Sequence, residues 1–464
     1  MKILIVTNLY PPHYLGGYEL RCAQVAEHLR RIGHDVRVVT SSFRIDGGRE
    51  TTLECDDSVN GIPVARFLHF DRNDQWRSRQ LHYLSIVRRQ VANGARFKDI
   101  LDTFKPDVVS WWNLQGVTKA ILGMTAPLGI PSVLALDDAW LIREFGPTGE
   151  RDLPFWFDFW AGRWGPRPVR PILRRPLAWL ERRVQRLGIP TRAFGVPPCH
   201  ALFPSEFRRH EHEQAGFLPG SSEVIYGGVS PQAFRVERST AEYASGPLRL
   251  LYAGFVEEKR GLHTVIEAIG LMPPAQRDRI HLSVAGQGPV SPDLYVKKIL
   301  SRVQELGISE QVTFLGRTRH DDMPDRYRAH HVLVFSSMRP EGMPMTMLEA
   351  MCAGCAVVTT GSGGAIELAE RADLPLFPRD HAFALARLLS SLEQNRSRVA
   401  EIGLRAQRVA TRDFTFERMT TQTADAIASV AEAARLGRFA GSPGVQRLSD
   451  AVGRPDLAST FSTP

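Results

Sequence analysis

The sequence predicts an α/β protein built from two Rossmann-like domains with parallel sheets. Apolar runs alternate with helical patterns in two successive series, a polar segment with turn residues separates the series, and the runs are short and β-branched, as strands buried on both faces are. In the first series "KILIVTN" reads as a strand, "ELRCAQVAEHLRRIG" as an amphipathic helix closed by Gly33, and "DVRVVTS" as the next strand, which makes one βαβ unit. "DVVSWW" and "PSVLALDDAW" continue it. The second series opens at "LRLLYAGF" and runs through "IHLSVAGQG", "VTFLG" and "HVLVFSS". The expected boundaries are 1–230 for the first domain, 231–247 for a linker and 248–412 for the second domain. A helix at 413–436 is expected to cross back to the first domain, and the Gly-, Pro- and Ser-rich 437–464 to be disordered.

At 464 residues, 43% hydrophobic and 23% charged, the chain has the composition of a soluble globular protein, which excludes a wholly disordered or membrane-spanning one. The start "MKILIVTNLYPPHYLGG" reads as a strand and loop, not a signal peptide, so the expected compartment is the cytoplasm, and Cys22, Cys55, Cys199, Cys352 and Cys355 do not contradict it. Cys352 and Cys355 form a C-x-x-C with no second pair, which reads as buried small residues. His210, His212, His330 and His331 lack partners at metal-ligand spacing, so no metal site is expected. The net charge of +8 is local: nine arginines from Arg163 to Arg192 face the single Glu181. Within an insert at about 151–192, "FWFDFWAGRW" precedes an apolar stripe of Leu177, Leu180, Val184 and Leu187. Segment 155–187 suits an anionic membrane surface or a lipid-linked acceptor. A helix packed on its own domain, a protein interface and nucleic-acid binding compete with that reading.

The stretch "RPEGMPMTMLEAMCAGCAVV" carries the chemistry. Pro344 suits a first helical position, Gly354 a helix end, and "CAVVTT" a buried parallel strand, so a helix is expected over about Pro344–Ala353. Glu341 then precedes the helix, Glu349 lies in its second turn, and the N–H groups from Gly342 to Met345 form an anion site between two carboxylates. A nucleotide sugar has the matching shape. The plainer alternative is that Glu341 favours the helix dipole and Glu349 is solvated.

Several pieces, in order along the chain, resemble the retaining glycosyltransferases of family 4, which have the GT-B arrangement of two Rossmann-like domains. These are "GGYELRCAQVAEHLRRIGHDVRVVTS", "FPSEF", "IYGGVS", "LLYAGFVEEKRGLHTVIEA", "VAGQGP", "VTFLGR", "EGMPMTMLEAMCAG" with its E-x7-E spacing, and "GSGGAIEL". The resemblance implies hexose transfer from a nucleotide-diphosphate sugar, of UDP or GDP type, to a hydroxyl of a polysaccharide or glycolipid precursor. It also implies retention of anomeric configuration and no metal or other cofactor, and no D-x-D triplet occurs in the sequence. By position it assigns Glu341 to the donor sugar, Glu349 to the ribose, and the N–H groups of Gly342, Met343 and Met345, around Pro344, to the diphosphate. Lys259 and Arg260 become a cationic clamp, while Gly16, Gly17, Gly254, Gly286 and Arg317 line the donor.

Two positions depart from the family pattern. Phe255 follows Gly254 where Gly-Arg is common, which shifts weight to Arg260, and Asp137-Asp138 stands where His-Asp is common. Asp137 could orient the acceptor, act as a base or cap the next helix. The expected partners are a nucleotide sugar, a carbohydrate or lipid-linked acceptor and, through 155–187, the inner face of the plasma membrane, with no specific nucleic acid. Two other functions fit the same residues: a sugar-nucleotide epimerase of similar fold, and a non-catalytic sugar-nucleotide or nucleic-acid binding protein.

Overall fold

The short β-branched runs become strands, and the two series become two separate sheets. The computed structural model describes residues 1–46, 49–70, 79–117, 119–145, 199–217, 219–244, 246–286 and 294–439, with 175, 176, 178–180, 182 and 183. The insert expected at 151–192 lies outside the described residues apart from those last few, and so does the expected tail from 440 onward. The chain divides into two units, the first made of Met1–Phe203, Arg208–Ile225 and the chain from Thr420, the second of Pro204–Phe207 and Tyr226–Met419.

The first unit contains β1 (Lys2–Val6), β2 (Asp35–Ser41), β3 (Phe43–Asp46), β4 (Arg49–Thr52), β5 (Cys55–Val59), β6 (Ile62–Leu68), β7 (Val108–Trp111), β8 (Ser132–Ala135), β9 (Cys199–Phe203) and β10 (Ser221–Val224). Eight of them form a sheet in the order β10-β9-β8-β7-β1-β2-β6-β5, parallel except for β5 against β6, while β3 and β4 pair as a separate antiparallel ribbon. Leu4, Val6, Val109, Trp111 and Leu134 from its strands pack with Phe97, Leu101 and Phe104 into one core. The second unit contains β11 (Leu248–Ala253), β12 (Ile280–Ala285), β13 (Val312–Gly316), β14 (Val332–Phe335) and β15 (Ala356–Thr359), wholly parallel in the order β13-β12-β11-β14-β15. Chain order runs outward from β11 and restarts on its other side at β14. That reversal opens a crevice at the carboxyl ends of these two strands, the usual ligand position in an open α/β sheet. The two units therefore carry the α/β, two-sheet Rossmann-like architecture read from the sequence.

Four helices matter below: α1 (Gly17–Arg31), α2 (Met345–Cys352), α3 (Ala365–Ala372) and α4 (Phe416–Arg435). Helix α1 begins two residues before the expected Glu19, because the Glu19 carboxylate turns back to accept from the N–H of Gly16 at 2.9 Å. Pro344 is the N-cap of α2, with ψ 98°, where the first helical position was expected. Gly354, at φ +77°, ends that helix and leads into β15 as expected. Helix α4 starts in the second unit and belongs to the first from Thr420.

The segment expected as a linker, 231–247, is built into the second unit. Phe234, Val236 and Tyr243 are buried in its core. Its polar residues cap the carboxyl end of α2: Arg238 Nε donates to the Ala353 carbonyl at 2.8 Å and the Tyr243 hydroxyl to that of Gly354 at 2.5 Å. A cation at the negative end of a helix is favourable. All five cysteines are free, and burial pushes the thiols of Cys352 and Cys355 up to about 12 and about 11. Burial also holds His212 and His331 at about 3, as neutral core histidines. Among the described residues no three His, Cys, Asp or Glu side chains gather in a metal-binding group, and no helix is long and apolar enough to cross a membrane.

One close approach fixes the carboxyl edge of the second sheet. A Cβ on Gly286, just after β12, would stand 1.8 Å from the carbonyl oxygen of Gly254, just after β11, and Gly254 itself has φ +146°. Gly286→Ala is therefore expected to destabilise the second unit by about 1–3 kcal/mol. A lowered denaturant midpoint with an unchanged m-value checks this, and an unchanged midpoint would show that the two loops can part freely.

Candidate functional site

The candidate site of the second unit is assembled from the loops after β11 and β14. The first loop ends in the turn Glu258–Arg260. It is stapled to the second loop through its carbonyls: Met338 N–H donates to that of Lys259 at 3.0 Å, and the Ser336 hydroxyl to that of Arg260 at 3.1 Å. This brings the Arg260 guanidinium onto the Glu341 carboxylate as an ion pair through Nη1 and Oε1. Both side chains are only partly buried, 29% and 19% exposed, and Arg260 Nε has no acceptor among the described residues.

The turn before α3 makes the bed for Glu341. The N–H of Gly364 donates to the Glu341 carbonyl at 2.7 Å. A Cβ on Gly364 would lie 1.9 Å from the Gly342 oxygen, and one on Gly363, at φ +66°, would lie 2.5 Å from the Glu341 oxygen. Gly363 and Gly364 of "GSGGAIEL" are thus required by backbone lying directly on backbone. Among the described residues, the N–H groups of Gly342, Met343 and Met345 meet no acceptor. They stand at the positive end of α2, an arrangement suited to a phosphate oxygen.

Glu349 is not solvated, which removes the plainer alternative for it. It is buried, with one oxygen accepting from the Tyr327 hydroxyl at 2.9 Å and the other facing His320 Nε2 at 3.1 Å. The Glu349 hydrogen bond raises the His320 pKa above its ordinary value against the opposing effect of burial, and the carboxylates of Glu349 and Asp321 add to the rise. His320 also meets the ring of Phe234 edge-on, with centroids 5.5 Å apart.

The structure brings Arg260, Glu341, Gly342, Met343, Pro344, Met345 and Glu349 together on one edge of the second sheet, with Gly254 and Gly286 in contact beside them. Lys259 is turned to Glu257, 2.7 Å away and half exposed, while Arg260 alone of the two pairs with Glu341. Arg317 follows β13 on the same edge, exposed and without a partner among the described residues. Phe255 is half exposed, and its carbonyl accepts from the Tyr252 hydroxyl at 2.8 Å.

In the first unit, Gly16 and Gly17 open α1. Asp137, just after β8, is bound by Arg21 of α1 at 2.6 Å, and Arg21 also donates to the Ile225 carbonyl at 3.1 Å. The Asp137 carboxylate is therefore taken up by Arg21 and does not cap the following helix. Burial raises its pKa, with the Arg21 charge pulling it back. Sequence reading missed Arg21, His320 and Tyr327. Their partners are 116, 29 and 22 residues away, and no local spacing signals such pairs.

The His320–Glu349 pair gives stability a pH dependence. A histidine whose folded pKa exceeds its unfolded value contributes fully below the unfolded pKa, near 6.5, and loses that contribution as pH rises through the folded one. The wild-type advantage in melting temperature over His320→Gln is thus expected to be larger at about pH 5.5 than at about pH 8.5, by roughly a degree or two. Equal differences at both pH values would mean that the pair carries no charge.

Residues 15–233 match the family model for Glycosyltransferase Family 4, and residues 236–409 the model for Glycosyl transferases group 1. The chain is 25% identical to the glycogen synthase of Mycobacterium tuberculosis over 442 residues, 91% of this chain and 94% of that one. It is also 25% identical over 335 residues to the lipopolysaccharide core biosynthesis mannosyltransferase of Rhizobium meliloti, 68% and 89% of the two chains. The crystal structure of HepE from Anabaena, in complex with UDP and glucose, has the same fold, with a TM-score of 0.62 at 21% identity over 92% of this chain and 100% of that one. A Glycosyltransferase Family 4 domain followed by a glycosyl transferases group 1 domain makes this chain a glycosyltransferase of the GT-B fold.

Proposed function

We propose that the protein transfers a hexose from a UDP- or GDP-type nucleotide sugar to a hydroxyl of a polysaccharide or glycolipid precursor, with retention of anomeric configuration and without a metal. The observation that carries this reading is the start of α2, where N–H groups that meet no acceptor among the described residues stand between Glu341, paired with Arg260, and the buried Glu349. Glycosyl transfer develops positive charge on the anomeric carbon and negative charge on the departing diphosphate, and both need partners fixed in advance. The N–H groups and Arg260 meet the diphosphate, Glu341 holds the sugar, and Glu349 holds the ribose. The leaving phosphate oxygen takes the acceptor's proton, so no separate base is required. The glycogen synthase and mannosyltransferase relatives support a saccharide acceptor, and the HepE complex supports a UDP-type donor.

Asp137 stays in this reading as a residue near the sugar or acceptor, now with its charge fixed by Arg21. Segment 155–187 is assigned on its sequence to an anionic membrane surface.

The decisive measurement is thermal stabilisation by UDP, GDP, ADP and their sugars, on the wild type and on Glu349→Ala. One nucleotide is expected to raise the melting temperature of the wild type, and the shift is expected to vanish in the variant. No shift with any of them would overturn the reading. With the donor known, Arg260→Ala and Glu341→Ala are expected to lower kcat about 100-fold or more. Turnover should be unaffected by EDTA and should depend on an added acceptor. Turnover of the donor without an acceptor would point to epimerisation instead.

A further inference from the structure

The first unit holds a cavity at the amino edge of its sheet. It has a volume of ≈ 370 Å³ and lies between the amino ends of β9 and β10 and the last turns of α4. The strands are parallel, so this is the edge opposite to the carboxyl edge from which Gly16, Gly17 and Asp137 project.

Strand register builds its floor. His200 stands directly across from Ser221, and Glu223, two residues on, shares the face of Ser221. His200 Nδ1 is 2.8 Å from Ser221 Oγ, and Nε2 is 2.9 Å from Glu223 Oε1, so both ring nitrogens are engaged and the ring is fixed. The end of α4 builds the roof. The backbone N–H of Gly437, at φ +65°, donates to the Ala434 carbonyl at 3.0 Å, and that of Arg438 to the Ala433 carbonyl at 2.8 Å. This paired closure of a helix end turns Arg438 and Phe439 back over the cavity. The small side chains of Ala426 and Ala433 leave the space open.

The lining carries one carboxylate, one guanidinium, a histidine, serine hydroxyls and an aromatic ring, so neither sign of charge dominates and a free ion is not selected. Burial pushes the Cys199 thiol up to about 12, which disfavours the thiolate a nucleophile needs. A neutral polyhydroxylated ring does fit. Glu223 and Arg438 can take paired hydroxyls, Ser221 and Ser429 can exchange single hydrogen bonds, and Phe439 can cover a C–H face. The volume lies in the range of small-ligand sites, about 300–1,000 Å³.

We propose that this cavity is a second carbohydrate-binding site, which holds a saccharide unit of the acceptor away from the place where bonds are made. The proposal rests on the saccharide acceptor put forward above. Tethering a polymer here raises its effective concentration at the same enzyme molecule.

The full chain is tested for binding of glucose, galactose and mannose trisaccharides at up to about 10 mM by calorimetry. The variants are Glu223→Gln, Phe439→Ala and Ser429→Trp, the last of which fills the space. At least one saccharide is expected to bind the wild type and to bind each variant tenfold or more weakly, with stabilisation by the donor nucleotide unchanged. KM for a polymeric acceptor should rise in the variants, while kcat and KM for a short acceptor stay as they are. Failure of every trisaccharide to bind, or equal binding by Ser429→Trp, overturns the site. Loss of nucleotide stabilisation in the wild type while saccharides still bind would count against the donor reading alone.

Discussion

Backbone lying on backbone, with no room for a Cβ, is the constraint on which the candidate site depends. At the carboxyl edge of the second sheet Gly364 lies against the Gly342 carbonyl and Gly286 against that of Gly254, each closer than any side chain permits. These contacts leave the loops after β11 and β14 few ways to sit, and they place Glu341 and the start of α2. Loops normally have the freedom that makes recognition costly, because each residue ordered on binding loses conformational entropy. Here much of that cost is met during folding.

Charge is handled in a parallel way. Glu341, Glu349 and Asp137 each have a donor in place: Arg260 for the first, Tyr327 and His320 for the second, and Arg21 for the third. Burying a carboxylate without such a partner is expensive, and the expense grows with burial. Glu349, buried, has two donors, while Glu341, more open, is met by the half-buried Arg260.

How much of this was legible in the sequence depended on the range of the interaction. The parallel strands follow from runs such as "KILIV" and "AVVT", and Gly354 marks the end of α2, because burial and glycine conformation are local properties. Glu341 and Glu349 were legible from their spacing around a helix start. The supports of these residues were not. The segment 231–247 looked like a linker because its polar residues have no local task, yet Arg238 and Tyr243 cap a helix more than a hundred positions away. His320 reads as one more polar residue in "RTRHDDM" until the fold sets it beside a buried carboxylate. Buried polar groups require partners, and the sequence does not say where the chain will find them.

The Arg260–Glu341 pair then acquires a specific meaning. Two opposite charges in contact, each still partly open to water, attract one another modestly, so the pair is a weak lock. It nevertheless fixes a long flexible side chain in one rotamer, the component of a cationic clamp that is costly to order at the moment of binding. Among the described residues the buried Arg260 Nε has no acceptor, and the chain runs from Glu341 directly into the N–H groups of Gly342, Met343 and Met345, which meet none either. In the proposed reading a diphosphate would meet the partly exposed guanidinium while Glu341 still holds it. Lys259 offers the contrast: it is paired outward with Glu257 and half exposed, so it would have to leave its partner and be ordered anew. Of the two adjacent cations, the proposed reading gives the part of stabilising charge as it develops to the one already held in place.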